Sequence, residues 1–302
     1  MTSSPAVTTV VITHNRRCEL LRSLAHADDP VVVVDNDSAD GTADAVARQF
    51  PRVQLIRAGA NLGAAGRNLG VEAAATPYVA FADDDSWWAP GATHRAAALL
   101  DRFPRLAVLV GKVLVGPESE PDSFNDVLTA SPLPRVPAVP GVPVLGFMAC
   151  AAVVRRQAFL DVGGFDELIH FGGEEAKLAI DLAAAGWLIQ YVADIVVHHH
   201  PSTRRVPAAV QYRRGVRNAL LTRVMRRPWS SVVRYAASEV AARPSGSLGV
   251  LQTVPRLRLA LRARSCVPPS LEARLRLLEA GTGRGADVPP RRGHRTRGEA
   301  PR

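Results

Sequence analysis

Short apolar runs alternate with polar turns and amphipathic stretches from the N-terminus onward. Val7–Thr13 is a β-rich run that ends in the polar turn His14-Asn15-Arg16-Arg17, and an amphipathic stretch over 19–26 follows. A strand, a polar loop and a helix open a βαβ unit. Val31-Val32-Val33-Val34 is too apolar for a one-sided strand and suits the middle of a parallel sheet. It runs into Asp35-Asn36-Asp37-Ser38-Ala39-Asp40-Gly41-Thr42, after which the pattern predicts a helix over 43–50 and a short strand over 53–57. Asn61-Leu62-Gly63-Ala64-Ala65-Gly66-Arg67-Asn68-Leu69-Gly70 reads as a glycine-bearing entry to a helix. The next apolar run, Tyr78 to Ala82, stops at Asp83, Asp84 and Asp85, with a helix predicted over 90–103 and a strand over Leu106–Val115.

The pattern breaks at 116–143, where seven prolines forbid a regular helix or a central strand. Order returns over 144–155, whose Gly146-Phe147-Met148-Ala149-Cys150 reads as a buried strand, followed by a helix over 156–162. An amphipathic helix then begins at Glu174 and Glu175 and closes near Gly186. A strand over 188–197 ends in His198-His199-His200. From Arg204 on, arginines mix with Leu, Val and Trp in helical stretches, and 281–302, rich in Gly, Pro and Arg, is expected to be disordered.

Composition alters this picture little. Hydrophobic content of 47% with 22% charged residues is that of an ordinary globular enzyme, and 302 residues can bury one large core. The formal charge of +9 comes almost wholly from arginine, since Lys112 and Lys177 are the only lysines. It is concentrated towards the C-terminus, so nucleic acid is not the expected partner. Cys18, Cys150 and Cys266 lack metal-ligand spacing and fit a reducing cytoplasm. No signal peptide or membrane-spanning run is apparent, so a cytoplasmic protein, soluble or peripheral at the inner face of a membrane, is expected. The basic helices suit an anionic membrane surface. Packing on the catalytic domain with a solvated basic face is the simpler alternative.

Three features carry chemistry. Alternation along a strand would put Asp83 and Asp85 on one side and Asp84 on the other, a geometry that suits Mg2+ or Mn2+, although an acidic turn capping the next helix explains the run as well. Asp35 ends a central strand, where open α/β sheets receive ligands, while Ser38, Asp40 and Thr42 read as turn and cap residues. Small residues around Arg67 admit a close phosphate or a close helix.

The run through Thr13-His14-Asn15-Arg16, Asp35-Asn36-Asp37-Ser38-Ala39-Asp40-Gly41-Thr42, Asn61-Leu62-Gly63 with Arg67-Asn68, and Phe81-Ala82-Asp83-Asp84-Asp85 resembles the family 2 glycosyltransferases in order and spacing. The resemblance implies an α/β, GT-A-like Rossmann-type fold: a mostly parallel sheet flanked by helices, with a helical C-terminal extension. The expected catalytic domain covers 1–205, with a nucleotide half 1–115 and an acceptor half 144–205; the Pro-rich loop 116–143 between them is either a linker or, as its length favours, a loop crossing the sugar site, and a basic helical extension over 206–280 and the tail 281–302 follow. A nucleotide-diphospho-sugar, expected as a UDP- or dTDP-sugar, would contact Thr13, Asn15, Arg16, Asp35, Asp37, Asn61, Gly63, Arg67, Asp83 and Asp84. Thr13, Asp35 and Asp83 would receive base and ribose and Arg67 the diphosphate. Asp85 and Asp83, completed by His198, would bind Mn2+ or Mg2+. Gly163-Gly164-Phe165-Asp166-Glu167 is similar to the family's acceptor-side segment, and the acidic pair after it assigns the base to Glu175 with Glu174 as its neighbour.

The implied reaction is an inverting transfer to a glycan, lipid-linked or small-molecule acceptor. Lys177 departs from the family pattern at a place where an acidic residue often stands, and an ion pair with a nearby carboxylate is expected of it. A nucleotidyltransferase uses similar parts, but its Gly-rich, basic first loop is not Thr13-His14-Asn15-Arg16. A binding module that has lost activity is the non-enzymatic alternative.

Overall fold

The computed structural model describes residues 6–28, 30–202 and 206–282. Its strands are β1 Val7–Thr13, β2 Val31–Asp35, β3 Gln54–Arg57, β4 Tyr78–Asp83, β5 Ser86–Trp88, β6 Leu106–Val115, β7 Glu120–Pro121, β8 Val142–Pro143, β9 Ala152–Arg155 and β10 Leu188–His199. Helices α1 Arg17–Leu24, α2 Thr42–Gln49, α3 Gly66–Ala73, α4 Ala92–Arg102, α5 Phe124–Thr129, α6 Arg156–Asp161 and α7 Glu174–Ala184 flank them. Five more follow: α8 Ala208–Arg226, α9 Trp229–Ala242, α10 Pro244–Leu251, α11 Val254–Arg262 and α12 Pro269–Thr282. The expected disordered tail lies outside the described residues beyond position 282.

One sheet runs in the order β3-β2-β1-β4-β9-β6-β10-β5, with β7 on β6 and β8 on β10. Its first four strands are parallel, and every residue of β1 and β2 is buried, as continuous apolar runs in a covered parallel sheet require. Register places Thr13 opposite Asp35 and Ile12 opposite Asp83, so three strands end level and their loops share one ledge. β9 is antiparallel to both β4 and β6, and joins the parallel half to the rest. Phe81, Phe159 and Phe165 cluster beneath the ledge with ring centroids 5.4–5.6 Å apart. Each such buried ring contributes about 1.5–3 kcal/mol.

Two local expectations are corrected. The Pro-rich segment is not wholly irregular, because the proline-free stretch between Pro121 and Pro132 holds α5, whose Asn125 side chain bonds both the N–H and the carbonyl of Val113. Residues Gly146 to Cys150 are largely buried but are not a strand; a 3-10 turn at Ala149–Ala151 precedes the short β9. The polar backbone of this segment is instead available to neighbours, which matters at the site.

Helices α8 to α12 pack on the sheet domain and on each other. Ile169 joins Leu220, Leu221, Val224 and Met225 in one apolar cluster, and α12 supplies Leu271 and Leu275 to another with Leu145 and Ile180. Part of the basic charge is neutralised internally. Arg227 makes a bidentate pair with Glu272 at 2.9 and 3.1 Å and also meets Glu279, which Arg223 reaches at 3.2 Å. Lys177 is buried between Asp166 at 3.0 Å and Asp181 at 2.7 Å, and Arg226 of α8 also pairs with Asp181. Its expected ion pair therefore ties α7 to the loop before it and, through Asp181, to α8. Among the described residues no helix is long and apolar enough to cross a membrane.

Candidate active site

The first two loops of the ledge lock each other. Asn15 and Asp37 both take the left-handed backbone, at φ 54° and 64°, which asparagine and aspartate tolerate best among residues with a side chain. The Asn15 N–H donates to Ser38 Oγ at 2.9 Å, and the Ala39 N–H donates to the Asn15 side chain at 2.8 Å. Asp40 accepts from the backbones of Arg17 and Thr42, which gives it the turn-and-cap role expected of it. Asp35 is buried, with its carboxylate receiving only a long bond from Ser38 N–H at 3.3 Å.

Arg67 enters from the first turn of α3. A Cβ on Gly66 would lie 2.6 Å from Asn36 Oδ1, and one on Gly70 would collide with Val10, so the glycines let α3 press against β1 and β2. Only this close approach carries a guanidinium to the middle of the site. Arg67 is 1% exposed, pairs with Asp83 at 2.5 Å, lies over the Phe165 ring at 5.6 Å, and among the described residues has no hydrogen-bond partner for Nε and Nη1. A buried cation with unmet donors is costly unless charge is supplied nearby. Asn61 and Gly63 build the turn before it: the Gly63 N–H donates to Asn61 Oδ1 at 3.0 Å, and Ala64 N–H donates to the His170 carbonyl at 2.6 Å. A side chain on Gly63 would strike that carbonyl, so both residues seat the loop on the segment around His170.

The three aspartates do not alternate as an extended strand would make them. β4 stops at Asp83, and Asp84 and Asp85 form a tight turn into β5. The Thr13 hydroxyl donates to Asp84 at 3.2 Å, and burial next to Asp85 and Asp83 pushes the Asp84 carboxyl well above the usual range. Burial also pushes Asp85 upward, but its bond and charge contact with His199, the Ser202 N–H and Arg16 outweigh that and hold it below the ordinary carboxylate value. His199 Nε2 lies 3.2 Å from Asp85 Oδ1, and Arg16 3.9 Å from Oδ2. The fall of the chain thus gives each carboxylate its own partner.

His198 is not on Asp85. It stacks on Trp87 with centroids 5.7 Å apart, and His200 tilts on the same ring at 4.6 Å, so these two do share a side, but it is the side away from the carboxylate. Parity in β10 explains this. Ile195, Val197 and His199 are buried, whereas Asp194 is exposed and Val196 and His198 are half-buried. The exposed Asp194 was the signal that could have assigned the histidines from the sequence.

At the start of α7, Gly172 and Gly173 adopt φ 88° and 94° and turn the chain into Glu174 and Glu175. Glu174 is 3% exposed, its Oε2 lacks a hydrogen-bond partner among the described residues, and burial with the neighbouring Glu175 charge pushes its pKa up to about 8 against the pull of Arg67. Glu175 is half-buried and accepts the Ala149 N–H at 3.2 Å; burial raises its pKa too, opposed by backbone N–H groups and Arg67. Two side chains to which the sequence assigned no role hold this region. Asn68 bonds both the N–H and the carbonyl of Phe165 at 2.9 Å, and Asn218 of α8 donates to the carbonyls of Phe171 at 2.9 Å and Gly172 at 2.6 Å.

The donor set can be tested for a divalent cation. An ionised Asp85 beside an imidazole, with Asp83 one turn away, offers the oxygen and nitrogen donors that Mn2+ accepts. No group of three or more His, Cys, Asp or Glu among the described residues encloses a cation by itself, so further ligands would come from outside the protein.

The architecture is that of the GT-A glycosyltransferases. It matches a mannosyltransferase of Pyrobaculum calidifontis in complex with GDP-Man and Mn2+ at a TM-score of 0.54, with 19% identity over 93% of this chain and 87% of that one. S. aureus TarS in complex with UDP gives a TM-score of 0.52 at 18% identity, covering 85% and 90%. The chain belongs to glycosyl transferase family 2, whose family model matches residues 8–163, more than half its length. It is 31% identical over 213 residues to an N-acetylglucosaminyl-diphospho-decaprenol L-rhamnosyltransferase of Mycobacterium tuberculosis, covering 59% of this chain and 69% of the relative. A pre-mycofactocin glycosyltransferase of the same organism is 33% identical over 147 residues, 47% of this chain and 30% of that protein.

Proposed function

We infer that this glycosyltransferase moves a sugar from a nucleotide-diphosphate donor to an acceptor hydroxyl with inversion at the anomeric carbon, assisted by a divalent cation. The observation that carries the reading is Arg67, a buried guanidinium paired on one side with Asp83 at the end of β4 and acting on the other upon Glu174 and Glu175. It couples the place for a departing diphosphate to the place for a base. The mannosyltransferase and TarS structures carry GDP-Man and UDP, respectively, which supports a nucleotide donor.

In this reading the loops bearing Thr13, Asn15, Asp35 and Asp37 receive base and ribose, and Arg16 and Arg67 face the diphosphate. Asp85 and His199 would hold Mn2+ or Mg2+ together with oxygens of the bound diphosphate, and the cation would supply charge to the leaving diphosphate. Glu175 takes the proton of the acceptor hydroxyl as its oxygen attacks the anomeric carbon; the bond to the diphosphate oxygen breaks and its electrons leave with the diphosphate. Burial serves this role because a raised pKa makes a carboxylate a stronger base. Ala149 N–H fixes one oxygen of Glu175, and Glu174 holds a proton and the start of the helix. The rhamnosyltransferase relative acts on a diphospho-decaprenol-linked sugar by its name, which favours a lipid-linked acceptor and work in the cytoplasm at the inner membrane face.

The test is single-turnover transfer with Mn2+ and a panel of UDP-, dTDP- and GDP-sugars, using the parent and Glu175→Gln. Sugar transfer or donor hydrolysis by the parent with inverted product, lost in the variant, supports the reading. Retained configuration, or an unaffected variant, removes it.

A further inference from the structure

The first half of α8 presents Val210, Arg213, Arg214 and Arg217 on one face, at helical spacing. Across from them stand Gln252, Pro255 and Arg256, and together they wall a cavity of about 340 Å³. All four arginines are half-buried. None of them pairs with a carboxylate among the described residues: Arg213 Nε donates to the Ala209 carbonyl at 3.2 Å, and Arg217 Nε to Asn218 Oδ1 at 2.9 Å. The second half of the same helix is the opposite case, since Arg223, Arg226 and Arg227 each meet Glu279, Asp181 or Glu272. Half-buried cations gathered without counter-charge repel one another and lose hydration, and burial next to Arg256 and Arg214 accordingly draws Arg217 down to about 10. A helix that neutralises one set of arginines and gathers another around a cavity has room for an anion that the described residues do not supply.

Position decides which anion. Arg214 Cδ lies 4.0 Å from where a Cβ on Gly172 would stand, two residues before Glu174, and Asn218, one turn further along α8, holds the Phe171 and Gly172 carbonyls. The cavity therefore adjoins the acceptor-side loop, whereas Arg16 and Arg67 serve the ledge. Its volume is at the low end for a ligand site and suits a headgroup rather than a whole nucleotide sugar. Val206, Leu251, Val254 and Leu259, next to the cavity in sequence, are exposed, so an apolar continuation of the ligand has a surface to follow.

We propose that Arg213, Arg214, Arg217 and Arg256 form a pocket for the phosphate or diphosphate group of the acceptor, holding it beside the Glu174–Glu175 loop. The assignment rests on the transfer reading above. Guanidinium forks bind such oxygens bidentately, and removing one such guanidinium should weaken binding roughly 10-fold or more.

The experiment uses the full chain without metal, titrated calorimetrically with inorganic pyrophosphate and with farnesyl diphosphate. Phosphatidylcholine vesicles with and without phosphatidylglycerol form a separate arm. Variants are Arg214→Gln with Arg217→Gln, and Arg256→Gln on the other wall; Arg48→Gln on α2 is the control, and melting temperatures check folding. The expected result is binding of both diphosphates by parent and control, lost in the double variant and weakened roughly 10-fold in Arg256→Gln, with nucleotide diphosphate affinity in Mn2+ unchanged. A stronger signal with farnesyl diphosphate than with pyrophosphate identifies a lipid-linked source; equal signals identify a soluble phosphate ester, and both support the pocket. Diphosphate affinity unchanged in the variants overturns it, as does competition by nucleotide diphosphate, which assigns the anion to the ledge. Binding to phosphatidylglycerol vesicles alone also overturns it, in favour of a surface contact. Because these are binding measurements, pyrophosphate binding by Glu175→Gln tests the pocket even if the transfer reading fails.

Discussion

At the end of β4, Asp83, Asp84 and Asp85 each have a side-chain partner, in Arg67, Thr13 and His199; at the start of α7, Glu174 and Glu175 meet, among the described residues, backbone N–H groups and the field of Arg67. Both are runs of adjacent carboxylates in one site. Their partners give them different charge states. His199, Ser202 and Arg16 keep Asp85 ionised despite its burial, whereas burial dominates at the glutamates and raises both. Adjacent acids in a sequence are therefore not one chemical object: the turn that separates Asp83 from Asp85 suits holding charge, and the buried helix start suits exchanging a proton.

The most severe break of this comparison is at the base. Glu175→Gln keeps the shape but cannot accept a proton, and transfer should fall on the order of 100- to 10,000-fold with donor affinity unchanged. Glu174→Gln should be milder. Single-turnover rates with parallel donor titrations check both, and the reverse ranking would move the base by one residue.

Next comes the cation. Asp85→Ala and His199→Ala should each weaken Mn2+-dependent nucleotide binding, by about 10- to 100-fold for the histidine, while His198→Ala stays near the parent. Calorimetry with nucleotide diphosphate and Mn2+ reads this directly. An effect at His198 equal to that at His199 would undo the parity argument.

The pH dependence separates the clusters without any substitution. Glu174 has a folded pKa raised from 4.5 to about 8, so between those values the folded state binds more protons than the unfolded, and stability falls as pH rises. The slope from one group cannot exceed about 1.4 kcal/mol per pH unit. Denaturation midpoints measured from pH 5 to 8 should decline in the parent and flatten in Glu174→Gln. Asp85, held low, contributes stability above its unfolded value that is lost only on acidification. Transfer should run opposite to stability, rising with pH as Glu175 loses its proton.

The smallest effect on transfer is expected at Lys177. It neutralises Asp166 and Asp181 rather than the glutamates, so Lys177→Met should cost stability, roughly 3 kcal/mol or less because Arg226 still faces Asp181. The pH profile of transfer should keep its shape, and a shifted profile would place Lys177 in the acidic pair.

Apart from β5, the order of strands and helices up to β6 was legible because β1, β2 and β4 are apolar runs that end at polar loops, and polarity at a strand end is a local signal. That Thr13, Asp35 and Asp83 lie together at the ends of adjacent strands was legible for the same reason. What failed was geometry that depends on a neighbour. Asp83 and Asp85 were assigned one side on the assumption of an extended strand, but the turn into β5 is set by pairing with β10. His198 and His199 differ only in parity, which a bulge between Val192 and Val196 obscures. Asn68 and Asn218 act across 97 and 47 positions, so even where Asn68 stands in a family motif its role leaves no local trace.

The antiparallel strand β9 has a consequence for how the chain comes off the ribosome. β4 has β1 on one flank, and its other flank is filled by β9. About 70 residues separate Asp83 from Ala152, which at roughly 5–20 residues per second leaves β4 an open edge for on the order of 3–14 s of synthesis. An unpaired apolar edge is a template for other chains. The nascent protein is thus most vulnerable to misassembly while its Pro-rich segment is emerging, and a prolyl-dense stretch with few strand-forming residues is a poor competitor for that edge. Proteolysis of stalled chains of increasing length should show protection of β4 arriving in one step as residue 155 clears the tunnel; gradual protection from residue 116 onward would mean that something else covers the edge first.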